Sequence, residues 1–140
     1  MLGDLIYEAE GELMNMRVIS VEEARPKIEV TILQSGLLKG IEATSIVRYS
    51  SIPREQGGAI YTEGKGVIMT KNSDDNNETA TWTGQGTAHY SGQTRRDVGS
   101  IFCRTPSSNG KLAFLDNMVG VFEYESDESG ASRGKIWEWK

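Results

Sequence analysis

The residue types that could do chemistry are few in this chain, which has one histidine and one cysteine. His89 falls on the polar side of a threonine-rich alternating segment beside a turn, so it reads as a surface residue. Neither a catalytic triad nor a multi-histidine metal site can be assembled around it. Cys103, in Ile101-Phe102-Cys103-Arg104, reads as a small buried apolar side chain. A lone cysteine excludes an intramolecular disulfide and an all-cysteine zinc site. The run Asp74-Asp75-Asn76-Asn77-Glu78 offers hard oxygen ligands. It lacks the central glycine, spacing and flanking helices of a calcium loop, and reads as a solvated hairpin tip. No metal and no cofactor are expected. Asn77-Glu78-Thr79 spells a glycosylation sequon, which matters only in a secreted chain.

Charged residues inside apolar segments carry more information, because some could point inward: Arg48, Glu63, Arg96, Asp97, Arg104, Glu123 and Glu138. A carboxylate in an apolar lumen has a raised pKa and can exchange protons near neutrality. Beside an arginine it stays ionised and satisfies charge. Alternation assigns most of them to an outer face, and Arg95-Arg96-Asp97 reads as surface pairing at a hairpin end. No residue is assigned a catalytic role, and whether the chain is an enzyme stays open.

The glycine pairs Gly64-Lys65-Gly66 and Gly84-Gln85-Gly86 invite a dinucleotide reading. That fingerprint needs a strand-to-helix turn, and these glycines lie within strand-like segments with no helix following. Two roles remain open: glycines let strands bend sharply at barrel corners, or they vacate a lumen for a small ligand. The lumen reading makes Gly64, Gly66, Trp82, Gly84, Gly86, Tyr90, Phe102 and Trp137 the candidate ligand-lining residues.

The elements that must position these groups are strands. Sixteen glycines against three prolines punctuate segments rich in Val, Ile, Thr, Tyr and Trp, and almost nowhere does an i, i+3, i+4 pattern appear. The expected strands are 5–19, 27–34, 40–50, 59–70, 78–90, 96–104, 112–124 and 132–139. Short connections make neighbours antiparallel. Long strands coil, and closure removes their edges. An eight-stranded antiparallel up-and-down β-barrel is therefore expected over a single domain, 1–140, with a two-sheet sandwich as the alternative. In 78–90 one face reads Ala80, Trp82, Gly84, Gly86, Ala88, Tyr90 and the other Thr79, Thr81, Thr83, Gln85, Thr87, His89, so the first points in. Trp137 and Trp139 share one face of a strand that closes the barrel on the first. Segment 112–124, and Leu13, Met14 and Met16 in the first strand, are apolar on both faces, which predicts cover by another subunit.

Composition bounds the partners. With 20 acidic and 15 basic residues the net charge is −5 and the pI about 4.9, the wrong sign for nucleic acid or an anionic membrane. No run approaches the ~18 apolar residues of a membrane span, and the start lacks a basic and apolar leader. A cytoplasmic homo-oligomer is expected.

The blocks Glu63-Gly64-Lys65-Gly66, Trp82-Thr83-Gly84-Gln85-Gly86, Thr105-Pro106-Ser107-Ser108-Asn109-Gly110-Lys111-Leu112, Leu115-Asp116-Asn117-Met118-Val119-Gly120-Val121-Phe122-Glu123 and the ending Trp137-Glu138-Trp139-Lys140 resemble small uncharacterised prokaryotic proteins with the allene oxide cyclase-like barrel. The resemblance spans roughly 59–140 and implies a calycin-like barrel, often oligomeric, with no established activity. Related folds include plant cyclases and dirigent proteins, whose lumens orient apolar substrates. No cyclase motif carries over to this chain, and fold analogy alone does not make an enzyme. The function expected is binding of a small apolar molecule in the lumen. An isomerase or cyclase using Glu63, Glu123 or Tyr61, or a purely structural barrel, are the alternatives.

Overall fold

Period-two alternation runs through nearly every segment of the chain, and a sheet that alternates apolar and polar can bury one face completely by curling on itself. The computed structural model describes residues 1–54, 58–70, 77–106 and 110–140. The acidic run at 74–76 lies outside the described residues. The strands are β1 (Leu2–Ser20), β2 (Lys27–Leu38), β3 (Ile41–Pro53), β4 (Ile60–Thr70), β5 (Thr79–Ser91), β6 (Thr94–Arg104), β7 (Val119–Ser126) and β8 (Ala131–Trp139). They form a closed antiparallel barrel in sequence order, and β8 returns to β1 through the pairs Leu2–Trp139, Leu5–Trp137 and Glu12–Ala131. The eight-stranded up-and-down barrel expected from the sequence is the fold. Among the described residues no helix is long and apolar enough to cross a membrane.

The turns follow local chemistry. Lys39 and Gly40 both take positive φ (46° and 82°) in the two-residue link between β2 and β3, the backbone of a tight hairpin whose twist matches its strands. β2 runs on to Leu38, four residues past the expected end at 34.

One expected strand is absent as drawn. Segment 112–124 splits into a 3-10 turn, Ala113–Leu115, and a short β7. Leu112, Leu115 and Met118 recur every third residue, so a turn with three residues per revolution puts all three on one side. There they are buried among Ile6, Leu38, Ala43, Ile68, Ala80 and Cys103, sealing one end of the barrel. This accounts for much of the two-faced apolarity of the segment without a second subunit. The plug is tied down by polar contacts. Lys111 N–H donates to Glu78 Oε2 at 2.8 Å. Thr105 N–H and Arg104 Nε–H both donate to Asp116 Oδ1, at 3.1 and 3.0 Å. Cys103 N–H donates to the Met118 carbonyl at 2.9 Å. Asp116 is consequently held below the ordinary carboxylate range, chiefly by the Thr105 amide and then by Arg104.

The outer wall carries ion pairs: Arg17 and Arg48 with Glu29, Arg96 with Glu123, Arg133 with Glu125.

Candidate functional site

At the end opposite the plug the bore stays open, and polar residues gather there. Extending the inward phase of Val30 and Ile32 by one step brings Gln34 into the bore. The phase of Phe122 brings in Tyr124, and that of Cys103 and Ile101 brings in Asp97 and Arg95. A cavity of about 90 Å³ lies among Trp82, Ile101, Phe122 and Ile136, with Tyr7, Gln34, Ser45, Tyr49, Asp97 and Tyr124 also on its wall. A larger recess of about 330 Å³ lies on the outside between Glu8, Glu10, Glu123, Glu125, Arg133 and Lys135. Glu8, Glu123, Glu125, Arg133 and Lys135 are in ion pairs with one another or with Arg96, and the walls of the bore are the more apolar, which makes the bore the better site for an apolar ligand.

The polar groups of the bore fall into two sets. Tyr7 and Ser45 share a hydrogen bond of 3.0 Å, and the Ser45 hydroxyl donates to Gln34 Oε1 at 3.2 Å. Nearer the mouth, Arg95 clasps Asp97 with two bonds of 3.0 Å, Nε to Oδ2 and Nη2 to Oδ1. Its guanidinium lies 5.4 Å from the centre of the Tyr49 ring and meets the Tyr90 hydroxyl. The pair is therefore buried, not on the surface as the sequence suggests. Desolvation pushes the Asp97 carboxyl above its ordinary range despite Arg95, and burial pushes the Tyr49 phenol up to about 12. Between these sets, Tyr124 Oη and Ser132 Oγ are buried without a hydrogen bond of good geometry. Tyr124 lies next to both Ser132 and Gln34.

The candidate lining residues divide. Gly64, Trp82 and Gly84 border the cavity. Gly66 and Gly86 face inward but leave no space there. A methyl group at Gly66 would fall inside the Trp82 indole, and one at Gly86 would strike the β6 backbone at Val98. Glycine thus admits a close approach of ring or neighbouring strand, and the bore is narrower than its glycine content suggests. Tyr90 has the inward phase but is 62% exposed at the mouth, beyond the cavity. Phe102 does not line the bore. Ile101 and Cys103 on either side are buried inside, so alternation turns Phe102 outward, 41% exposed. Trp137 is outward as well, opposite Val121 and Leu5, because Ile136 takes the inward place. The pair of tryptophans closes the barrel from outside. Of the charged strand residues, Arg48, Arg96 and Glu123 are on the outer wall in ion pairs. Glu63 is exposed near Lys27 and Tyr61.

His89 is exposed. Cys103 is buried, and desolvation raises its thiol to about 12, so it is inert at neutral pH. Among the described residues no cluster of His, Cys, Asp or Glu could hold a metal. No protein-family model, curated protein or solved structure matches the chain.

Proposed function

We propose that the protein binds a small, largely apolar molecule in its bore, and that it belongs with the allene oxide cyclase-like barrels its sequence blocks resemble. The observation that carries the binding reading is the cavity itself: apolar and aromatic walls, closed below by the plug, with a few convergent polar groups, the usual composition of a ligand pocket. At 90 Å³ it holds the equivalent of about three waters at their liquid volume of ~30 Å³ each. That is well under the roughly 300 Å³ and more of sites for drug-sized ligands, so the occupant is no larger than about one ring. Native mass spectrometry of protein purified from its own host tests this. A small bound mass that disappears in Val47→Phe, which fills the bore, supports the reading. A ligand-free wild type that also takes up neither benzene nor xenon makes the barrel structural.

An isomerase or cyclase is the second reading, favoured by Asp97: an inward carboxyl shifted upward by burial, beside Arg95 and near Tyr49. Both its oxygens accept from Arg95, which limits its capacity to move a proton. If it does act, the molecule recovered from Asp97→Asn protein is an isomer of the one recovered from wild type. Identical molecules remove this reading.

Self-association through β1 is the remaining part of the proposal. Pairing with β8 stops at Glu12, with one further bond from Leu13 N–H to the Gly130 carbonyl, whereas β1 continues along β2 to Ser20, leaving a free edge beyond Leu13. Met14, Met16, Val18 and Ile19 on it are exposed. The partner that fits is a second copy. Antiparallel pairing about Met16 sets Met14 against Val18 and Asn15 against Arg17, so that no like charges are directly opposed. Met16→Cys should yield a covalent dimer on mild oxidation. A clean monomer in sedimentation at micromolar concentration overturns the assembly.

A further inference from the structure

Resting on the reading of the bore as a binding site, the geometry points to a ligand class: an uncharged molecule of about one ring that presents a hydrogen-bond-accepting oxygen to Tyr124 Oη. This hydroxyl carries the inference. Tyr124 borders the cavity and is 9% exposed, and its Oη has no hydrogen-bond partner of good geometry. A buried polar atom left unpaired is costly, and such groups are otherwise satisfied throughout proteins. Gln34 Oε1 already accepts from Ser45, which is bonded in turn to Tyr7, and Asp97 is occupied by Arg95. What the cavity wall has to spare at Tyr124 is a hydroxyl donor, and it calls for an acceptor.

Charge excludes an ion. Arg95 and Asp97 neutralise each other, so no uncompensated cation remains inside to hold a carboxylate, and a buried anion without one is strongly disfavoured. Glu63, Glu123 and Lys135 also border the cavity. They belong to outward positions of β4, β7 and β8 and lie near Lys27, Arg96 and Glu8 respectively. The apolar remainder, Trp82 and Phe122 with Ile101 and Ile136, suits a carbocyclic or aromatic body.

Titration calorimetry with cyclohexanone, benzene and benzoate on the full chain tests the inference. Cyclohexanone should bind three- to tenfold tighter than benzene, the range one net hydrogen bond supplies. Tyr124→Phe, its fold checked by circular dichroism, should remove that preference while leaving benzene unchanged. Cyclohexanone binding no tighter than benzene, or a Tyr124→Phe loss shared by both, overturns the acceptor assignment and leaves the binding reading intact. Benzoate binding tightest overturns the neutral class. If none of the three binds, the binding reading itself falls.

Discussion

The two ends of the barrel solve opposite problems. At the plugged end Leu112, Leu115 and Met118 fill the bore with hydrocarbon, and the loop that carries them is bonded to Glu78, Asp116 and the β6 backbone. At the mouth an ion pair, two unpaired hydroxyls and a free strand edge sit within the span of a few residues. Each of those mouth features costs stability where it stands. The comparison teaches that burial concentrated at one end can offset polar groups retained at the other, and that those retained groups mark the place to look for a ligand.

The strongest way to sharpen this contrast is to unpair the mouth. Asp97→Ala leaves Arg95 buried and uncompensated and should destabilise by about 3–5 kcal/mol. The double variant Arg95→Met/Asp97→Leu should regain most of it, because the pair serves charge balance and its volume can be filled by hydrocarbon. Urea denaturation measures both. A double variant as weak as the single one would show the ion pair to be part of the framework. At the other end Leu115→Ala should cost about 2–5 kcal/mol. Its loss should appear as faster hydrogen exchange in β6 and the plug, with the Tyr124 region unaffected at first. Uniform exchange would erase the distinction between the ends.

The smallest effect is in pH, and there the ends differ in sign. Asp97 is shifted up by desolvation, so its contribution to stability is present below the unfolded value of about 3.9 and is lost as pH rises through its folded pKa. Asp116 is shifted down, so its contribution is present above about 3.9 and is lost as pH falls through its folded pKa. A carboxyl-carbon NMR titration should find the Asp116 midpoint below that of Asp97. The reverse order would contradict the burial of one and the hydrogen bonding of the other.

Much of the barrel was legible residue by residue. Alternation in β5 places Ala80, Trp82 and Ala88 inside, and the shared face of Trp137 and Trp139 marks β8 as the strand that closes on β1. The site was less so. Tyr7, Gln34, Ser45, Tyr124 and Ser132 were missed, although each sits in phase with a buried apolar neighbour. Polar type argued against burial, and only the meeting of β1, β2 and β3 supplies the Tyr7–Ser45–Gln34 bonds that make burial of those three tolerable. Phe102 and Trp137 were misplaced because large aromatic rings attract an inward assignment, while side-chain phase is set by register, which β6 and β8 share with their neighbours.

Composition and period two determined that the chain forms a curled antiparallel sheet with one face dry, since those patterns act locally along each strand. Which glycines would be spent on a close approach, which end would be stoppered, and which hydroxyls would be stranded without partners depended on strands meeting at a particular stagger. That stagger is a property of the closed wall as a whole, because every neighbour must satisfy its hydrogen bonds at once.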